Sequence, residues 1–281
     1  MPKVFKVQAP DVNGFTFYGQ SGNDTLTGGV GDQQFLYGTK GDDLITGGVG
    51  VQGLYGGSDL DTIIGGTGNQ SLYGGSDQDT IVAGVGNQTL DGGSGLDTLD
   101  FSKVTGTLDI DLDLKVATIA DANGVIVNTY YAISFDTIIG TNQGNTFDGA
   151  QYTPRNFIGG AGADHFHSES GGDTMVGGAG ADDFRWYKIY VAVNHTDEIK
   201  DFQVGTDHLN MADFLKGQYT LDGAYIKLPG YAQVMQLAAA TDAAGHASTM
   251  VQALAGDGIW HNVVLLDGVD ASTVTINDLV L

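Results

Sequence analysis

The chain has 281 residues, enough for one large domain or two small ones. It carries 34 acidic and 11 basic residues, a formal net charge of −23. Binding to nucleic acid needs a basic face, so this balance excludes nucleic acid as an expected partner and disfavours an anionic membrane surface. All acidic residues except Glu169 and Glu198 are aspartates, a bias typical of turns and of short carboxylate ligands for a hard cation.

Other classes of protein are excluded as well. The absence of cysteine rules out disulfides and thiolate chemistry. No stretch approaches the roughly 20 apolar residues of a membrane-spanning helix. Met1 to Lys6 lack the apolar core of a cleavable signal peptide, so an exported chain is expected to carry its signal elsewhere.

A nonapeptide repeat runs from Gly19 to Asp100. Its units read GQSGNDTLT, GGVGDQQFLY, GTKGDDLIT, GGVGVQGLY, GGSDLDTII, GGTGNQSLY, GGSDQDTIV, AGVGNQTLD and GGSGLDTLD, and the second unit has one extra residue. A shorter run from Gly159 to Arg185 reads GGAGADHFH, SESGGDTMV and GGAGADDFR. Periodic units of this size indicate a solenoid.

Each unit predicts a glycine-rich turn followed by a three-residue strand. Paired glycines permit a tight turn and close backbone approach. The eighth residue is large and apolar and points inward, while the seventh and ninth point outward. Two units then make one coil of 18 residues, and coils stack at roughly 4.8 Å.

These residues resemble the GGxGxDxUx pattern of the RTX (repeats-in-toxin) calcium-binding proteins. The resemblance implies a parallel β-roll in which calcium ions lie between successive turns, held by sixth-position aspartates and backbone carbonyls. The implied ligands are Asp24, Asp43, Asp61, Asp79, Asp97, Asp164, Asp173 and Asp182. Asp59 and Asp77, the fourth residues of their units, either add calcium ligands or shape the turn.

The first run alternates aspartate with glutamine at the sixth position. The interleaved residues are Gln33, Gln52, Gln70 and Gln88. Because odd and even units lie on opposite edges of the coil, one edge is expected to bind calcium and the other is not. The glutamines form either a hydrogen-bonded amide ladder that replaces metal or a contact edge for another molecule.

A tyrosine stripe is expected on one sheet. It comprises Tyr18, Tyr37, Tyr55 and Tyr73, spaced 19, 18 and 18 residues apart. Stacked tyrosines either stabilise the sheet or contact a partner subunit, a later part of this chain or a glycan. The threonine-rich outer face of the opposite sheet is a second candidate contact surface.

The sequence predicts an all-β fold with five segments. Residues 1–18 form an N-terminal cap, 19–101 the first roll block, 102–139 a bridging hairpin, 140–185 the second roll block, and 186–281 a C-terminal domain. LDIDLDL (108–114) reads as a strand whose Asp109, Asp111 and Asp113 form either a solvated face or another calcium site. The C-terminal domain is expected to be mostly β: residues 259–266 and 272–277 read as strands, and 231–254 could hold one or two short helices.

The C-terminal part resembles a second family feature. DEIKDFQVGTDHLNMADF (197–214) is similar to the segment that follows the roll in serralysin-type C-terminal domains. The terminal NDLVL resembles the uncleaved signal of type I secretion substrates. The resemblance implies export by the type I machinery to the extracellular space or cell surface, without a cleaved N-terminal signal.

Catalytic motifs are missing from the sequence. It contains neither the HExxH motif of zinc proteases nor the GxSxG motif of lipases, so it lacks the reactive groups of both classes of enzyme. His165 and His167 share one strand face, as a two-point metal site or as exposed polar residues. The chain is therefore expected to be non-enzymatic.

Three functions remain open. The first is a secreted, calcium-dependent structural protein, such as a surface-layer, matrix, filament or adhesin subunit, that self-associates. The second is a C-terminal accessory domain of a secreted enzyme. The third is a small RTX protein that acts on membranes or glycans.

Overall fold

The computed structural model describes residues 6–150, 153–168, 172–186, 196–210, 220–222, 225–227, 235–254, 260–274 and 278–280. The chain divides into two compact units, residues 1–142 and 143–281. Within the described residues every element is a β-strand apart from turns and one short 3₁₀ position, so none forms a helix long enough to cross a membrane. The all-β parallel β-roll expected from the repeats is confirmed.

The first unit contains fifteen described strands in two sheets. They are β1 (Lys6–Gln8), β2 (Thr16–Tyr18), β3 (Thr25–Thr27), β4 (Gln34–Lys40), β5 (Leu44–Thr46), β6 (Gln52–Ser58), β7 (Thr62–Ile64), β8 (Ser71–Ser76), β9 (Thr80–Val82), β10 (Gln88–Ser94), β11 (Thr98–Asp100), β12 (Thr107–Asp111), β13 (Val116–Ala120), β14 (Ile126–Ile133) and β15 (Thr137–Ile139). The first sheet has the order β1-β3-β5-β7-β9-β11-β15, and the second has the order β2-β4-β6-β8-β10-β14-β13-β12.

Successive repeats alternate between these two sheets, so two units complete one coil. The pairing is parallel throughout the first sheet and from β2 to β14 in the second. Residues at the same repeat position face each other: Ile63 is the partner of both Ile45 and Ile81. Each side chain therefore stacks on its own equivalent, one strand spacing away.

The core of the first unit is a double column of aliphatic side chains. Its eighth-position members are fully buried: Leu26, Leu36, Ile45, Leu54, Ile63, Leu72, Ile81, Leu90 and Leu99. The flanking seventh and ninth residues are largely half-buried or exposed, as in β3 and β7. The inward–outward alternation expected from strand geometry is thus present in every coil.

Strands of the second sheet are longer than the three residues predicted. β4, β6, β8 and β10 contain six or seven residues because pairing continues into the next unit, through Gly38–Lys40 in β4 and through a glycine pair and a serine in the other three. Gly57 and Gly75, for example, are register partners. The missing Cβ lets the backbones approach in a segment that the repeat pattern assigns to a turn.

An antiparallel meander follows the ninth repeat. β12, β13 and β14 pair antiparallel, and a turn at 121–124 (DANG) joins β13 to β14. β12 ends at Asp111, so the strand predicted over 108–114 is shorter than expected. Asp113 consequently lies in the turn between β12 and β13.

The second unit also contains two sheets. Its described strands are β16 (Thr146–Asp148), β17 (Asn156–Gly160), β18 (His165–Ser168), β19 (Thr174–Gly178), β20 (Asp183–Trp186), β21 (Asp197–Ile199), β22 (His208–Asn210), β23 (Thr220–Asp222), β24 (Tyr225–Lys227), β25 (Met235–Thr241), β26 (Ala247–Leu254), β27 (Trp260–Leu266) and β28 (Leu279–Val280). One sheet contains β17-β19-β21-β27-β26-β25-β24-β23, and the other contains β16-β18-β20-β22-β28. Phe147, Phe166 and Phe184 replace the aliphatic column, with ring centroids 5.0 and 4.9 Å apart.

The prediction of short helices within 231–254 is wrong for the described residues 235–254. They form β25 and β26, an antiparallel pair joined by a turn at Asp242–Gly245. Alanine favours helices, but pairing on both sides of β26 overrides this weak preference. The strand predicted at 259–266 is present as β27, whereas Ser272–Val274 is not a strand and 275–277 lie outside the described residues.

We predict that Gly66→Ala destabilises the first unit severely. A Cβ at this position would overlap the carbonyl oxygen of Gly48 on the preceding coil, and backbone atoms on both coils would have to move. Chemical denaturation should show a loss of several kcal/mol, about the scale of overpacking in a core. Gly124→Ala is the control because a Cβ there meets no atom within 4 Å. Its positive φ should cost only about 1 kcal/mol, and equal losses for both variants would contradict the close-approach argument.

Candidate functional site

The predicted calcium ligands of the first unit lie in one row. We define the aspartate edge as the turns before β3, β5, β7, β9 and β11. It contains Asp24, Asp43, Asp61, Asp79 and Asp97, all at most 2% exposed. A buried row of five like charges, one strand spacing apart, needs compensation.

One oxygen of each carboxylate is used inside the protein. The backbone N–H of Asp43 donates to Oδ1 of Asp61 at 2.8 Å, and that of Asp61 donates to Oδ1 of Asp79 at 2.9 Å. The same bond links Asp24 to Asp43 and Asp79 to Asp97. Each Oδ1 therefore ties one coil to the one before it.

The other oxygen, Oδ2, is left without a partner in most of the row. Buried Oδ2 atoms with no hydrogen bond belong to Asp43, Asp61, Asp79, Asp97, Asp164 and Asp182. A buried acceptor that accepts nothing costs about 1–3 kcal/mol, and more when charged. These six unpaired oxygens are the strongest indication that the fold binds cations.

Glycine creates the space beside each orphaned oxygen. A Cβ built on Gly56 would collide with Oδ2 of Asp61 and lie 2.6 Å from the carbonyl oxygen of Gly74. At Gly74 the same space is bordered by Oδ2 of Asp79 and the carbonyl of Gly92. A carboxylate and a backbone carbonyl thus converge on a point that only glycine leaves open. Such oxygens are the ligands that calcium takes.

Burial opposes ionisation of this row. It raises the pKa of Asp61 to about 7 and the pKa values of Asp43 and Asp79 to about 6, and neighbouring carboxylates raise them further. In the second unit burial likewise raises the pKa of Asp164 to about 7 and that of Asp182 to about 6. A cation beside Oδ2 would reverse this shift, since opposite charge favours the ionised form.

The described residues contain no group of three or more acidic or histidine side chains converging as a metal cluster. The row has a different geometry, because its carboxylates come from successive coils and backbone carbonyls supply further oxygens. Calcium tolerates such mixed oxygen shells of six to eight ligands.

Asp59 and Asp77 shape the turns. Both are exposed and have positive φ, 77° and 78°, at the fourth position where other units place glycine. Oδ2 of Asp59 accepts the backbone N–H of Gly41, and Oδ2 of Asp77 accepts that of Asp59. This geometry favours the turn-shaping alternative, since aspartate tolerates the left-handed region better than most residues.

The row continues through a residue that the sequence analysis missed. Oδ2 of Asp136 accepts the backbone N–H of Asp97 at 3.0 Å, which places Asp136 on the next coil. The signal was present, because DTII occurs both at 61–64 and at 136–139. The 36-residue interruption between Asp100 and Thr137 concealed its register.

In the second unit, aspartates occupy both edges. Asp164, Asp182 and Asp207 form a row before the strands of the β16-β18-β20-β22-β28 sheet. Asp173 and Asp197 lie on the other edge, where the backbone N–H of Asp173 donates to Oδ1 of Asp197 at 2.8 Å. Asp197 and Asp207 belong to the serralysin-like segment and were not predicted as row members.

Asp173 differs from the other predicted ligands. Its Oδ2 accepts a hydrogen bond from the Ser168 hydroxyl at 3.3 Å. Oδ2 of Asp197 accepts the Trp186 indole N–H at 2.6 Å and lies 2.7 Å from the same Ser168 hydroxyl, whose single hydrogen the two carboxylates share. Hydrogen-bond donors of the protein itself therefore satisfy the carboxylates on this edge. Asp24 is similar, since its Oδ2 accepts the backbone N–H of Gln20.

The opposite edge of the first unit carries the glutamine ladder, but its first member is Gln34. We define the glutamine edge as the turns before β4, β6, β8 and β10. Gln34, Gln52, Gln70 and Gln88 are buried there, whereas Gln33 is exposed with a φ of 59°. The placement of Gln33 in the ladder was wrong because the extra residue of the second unit is absorbed in the turn before Gln34.

The amides of Gln34, Gln52 and Gln70 each link two coils, whereas Gln88 accepts the N–H of Gly84 through Oε1 and its buried Nε2 has no partner. Oε1 of Gln70 accepts the backbone N–H of Gly66 at 2.7 Å, and its Nε2 donates to the carbonyl of Gly48 at 3.1 Å. Nε2 of Gln52 donates to Oε1 of Gln34 at 3.0 Å. Beyond Gln88 the hydroxyl of Tyr130 donates to the carbonyl of Gly84. The amides thus make the bonds between coils that stacked carboxylates cannot make alone.

The tyrosine stripe forms a continuous stack on the second sheet. Ring centroids of Tyr18, Tyr37, Tyr55 and Tyr73 are 4.7, 4.5 and 4.9 Å apart, with interplanar angles of 12°, 10° and 6°. Most ring faces are therefore covered by neighbouring rings, and the stripe presents ring edges outward. This arrangement favours the sheet-stabilising alternative.

The remaining polar candidates lie on outer strand faces. Nδ1 of His167 is hydrogen-bonded to Asp148, and Nδ1 of His165 lies 3.6 Å from Asp183. Asp109 is exposed and Asp111 half-buried on β12, while Asp113 is exposed in the following turn. These positions favour polar pairing and a solvated face.

Comparisons with known proteins agree with this geometry. The model of the peptidase M10 serralysin C-terminal family matches residues 88–280. The model of the RTX calcium-binding nonapeptide repeat matches four times, at 16–32, 34–63, 55–87 and 64–99. No curated protein sequence matches.

Two solved structures illustrate the similarity. The AlgE6R3 subunit of the Azotobacter vinelandii mannuronan C5-epimerase is 20% identical with a TM-score of 0.23, over 50% of this chain and 80% of that one. The extracellular lipase LipA from Serratia marcescens is 15% identical with a TM-score of 0.22, over 82% of this chain and 40% of the lipase.

The family matches support several general statements. RTX nonapeptide repeats bind multiple calcium ions, and the two families together indicate a secreted calcium-binding protein. They fit a non-catalytic region and are linked to type I secretion. Because the match to the serralysin C-terminal model spans more than half of the chain, the protein belongs to that family, with RTX calcium-binding repeats forming its roll.

Proposed function

We propose that the chain is a secreted, non-enzymatic structural protein that folds and self-associates when it meets extracellular calcium. It would serve as a surface-layer, matrix, filament or adhesin subunit. The observation that carries this proposal is the set of six buried Oδ2 atoms without partners. These oxygens need a cation to compensate them, and the described residues beside them include no evident catalytic group.

The proposed ligands are the aspartates whose Oδ2 atoms are orphaned. They are Asp43, Asp61, Asp79, Asp97, Asp164 and Asp182, with backbone carbonyls such as that of Gly74 completing the shell. Asp24 and Asp173 are weaker candidates because protein groups already donate to their Oδ2 atoms.

Calcium would act as a folding switch at the site of delivery. Extracellular modules bind it at about 10⁻⁴–10⁻³ M, far above resting cytosolic levels. Since the ligands come from different coils, binding free energy becomes folding free energy. The chain would then remain largely unfolded before export and become a roll outside the cell.

A second candidate is an accessory domain of a secreted enzyme. The match to the C-terminal domain of serralysins over residues 88–280 favours it. It predicts calcium-dependent folding as well, but no ordered self-association.

The proposal is tested by electron microscopy and circular dichroism of the purified chain with and without millimolar calcium. At neutral pH we expect β structure and ordered assemblies only with calcium, because both follow from closing the aspartate edge. A calcium-folded chain that stays monomeric at every concentration would favour the accessory domain. If calcium adds no β structure, the ligand assignments fail as well.

A matched set of variants tests the division between the two edges. Asp61→Asn keeps Oδ1 for the N–H of Asp43 but removes the charge beside Gly56. We expect the calcium concentration for half-folding to rise about tenfold, since ligand charge tunes affinity. Asp113→Asn makes the same charge change at an exposed turn and should have no effect.

A change on the glutamine edge should lower stability without changing calcium binding. Gln70→Ala leaves the N–H of Gly66 and the carbonyl of Gly48 without side-chain partners. We expect a loss of about 2–4 kcal/mol in unfolding free energy at saturating calcium, from lost packing and unsatisfied groups. Calorimetric titration of the folded variant should give an unchanged number of calcium ions. A reduced number would place calcium on this edge.

The pH dependence should change sign with calcium. In the unfolded chain these aspartates ionise near 3.8, whereas burial raises the pKa values of Asp61 to about 7 and Asp43 to about 6 in the metal-free fold. Between these values the folded state holds more protons, so metal-free stability falls as pH rises from about 4 to 7. With calcium, affinity should instead rise over that range because protons compete for the same oxygens. Circular dichroism at several pH values, with chelator or calcium, measures both slopes, and parallel slopes would contradict the assignment.

A further inference from the structure

The glutamine edge carries a row of exposed aliphatic side chains. We define the valine row as Val30, Val49, Thr67, Val85 and Val127. Its four valines are between 47% and 54% exposed. Exposed aliphatic residues scattered singly are ordinary, but a contiguous line of them marks an interaction site.

Backbone pairing holds the row in register. Val30, Val49, Thr67 and Val85 are linked by successive parallel bridges. The row extends to Val127 because Oδ1 of Asn128 accepts the N–H of Gly86, and Oδ1 of Asn87 accepts that of Thr129. Adjacent members are therefore about one strand spacing, roughly 4.8 Å, apart.

A rigid layer lies beneath the row. The turns around Val49 and Val85 are held by the amides of Gln52 and Gln88, whose Oε1 atoms accept the backbone N–H groups of Gly48 and Gly84. The row thus needs little ordering when it meets a partner, which lowers the entropic cost of association.

The middle of the row is uncharged. Residues 44–58, 62–76 and 80–90 contain no charged side chain, in a chain whose net charge is −23. Charge enters at the ends: Asp11 holds the position equivalent to Val30 on the preceding coil, and Asp32 and Asp121 lie near the two ends of the row. Other turns of the repeats, by contrast, carry Asp42, Asp59 and Asp77 on the aspartate edge.

We propose that the valine row is the surface through which two copies of this chain pair. A row of similar side chains at one strand spacing packs best against a second row with the same spacing. A second copy is the one partner certain to carry it. Such a contact uses the same patch on both copies, as in a two-fold symmetric dimer.

Electrostatics favours the same partner. Two copies that approach through an aspartate-rich surface repel one another, and this cost is avoided where uncharged rows meet. Burying the valines supplies the attraction. The inference rests on the self-association in the proposed function and assigns it to a surface other than the tyrosine stripe, whose ring faces are already stacked.

The test compares the chain with a Val49→Lys/Val85→Lys variant by sedimentation in millimolar calcium. These changes raise the net charge from −23 to −21, so general charge repulsion predicts stronger association. The valine row predicts the reverse, an apparent dissociation constant at least about tenfold higher (1.4 kcal/mol). Circular dichroism and calcium titration establish that each variant folds. If the lysine variant does not fold, Val49→Ser/Val85→Ser takes its place with the same expectation.

The control is Leu114→Lys/Val204→Lys, which adds the same charge at exposed aliphatic residues outside the row. It should associate at least as strongly as the parent chain. The inference is overturned if the valine variant associates as the parent does, or if the control loses as much. A parent chain that binds calcium, folds and stays monomeric would overturn both this inference and the proposed self-association, but not the calcium switch.

Discussion

The stability of the fold depends on how the negative charge that recurs in every coil is compensated. Parallel stacking places each side chain directly over its equivalent, so an aspartate in one repeat faces another at about 4.8 Å. In water such a pair repels by about 1 kcal/mol, and by more in a drier site. Oδ1 is used by the backbone of the neighbouring coil, for example Asp61 by Asp43. Oδ2 of Asp61 has no such use, and a cation bound there would replace the missing hydrogen-bond donors.

The same stacking rule explains the other columns. Neutral groups tolerate their own copies at one strand spacing: aliphatic side chains fill the core, amides of Gln52 and Gln70 hydrogen-bond along the edge, and the rings of Tyr37 and Tyr55 stack at 4.5 Å. Stacked carboxylates, by contrast, repel one another and need a cation as an outside partner. The repeat therefore concentrates its need for calcium on one edge and lets the rest of each coil form from its own contacts.

The repeat could be predicted in detail because each residue's environment is set by its position in the unit. The inward column and the aspartate edge follow from spacing alone. Gln33 was misplaced because one inserted residue shifts the register locally, and spacing does not say which residue the turn absorbs. Residues 235–254 were misjudged because strand pairing with distant partners decides their conformation. Asp173 differs from the other predicted ligands because Ser168 and Trp186 reach the same edge from other coils, and no repeat pattern contains them.

In both units one edge carries carboxylate oxygens without partners and the other edge is closed by hydrogen bonds, but the groups that close it differ. In the first, the aspartate edge has orphaned oxygens and the opposite edge is closed by amides. In the second, Asp164 and Asp182 have the orphaned oxygens, while the edge of Asp173 and Asp197 is closed by serine and indole donors. An edge closed by the protein's own groups fixes the stacking register as the chain folds, because its bonds do not depend on the ion. Calcium then has to close only the other edge, and the chain avoids sampling registers in which charge faces charge on both sides.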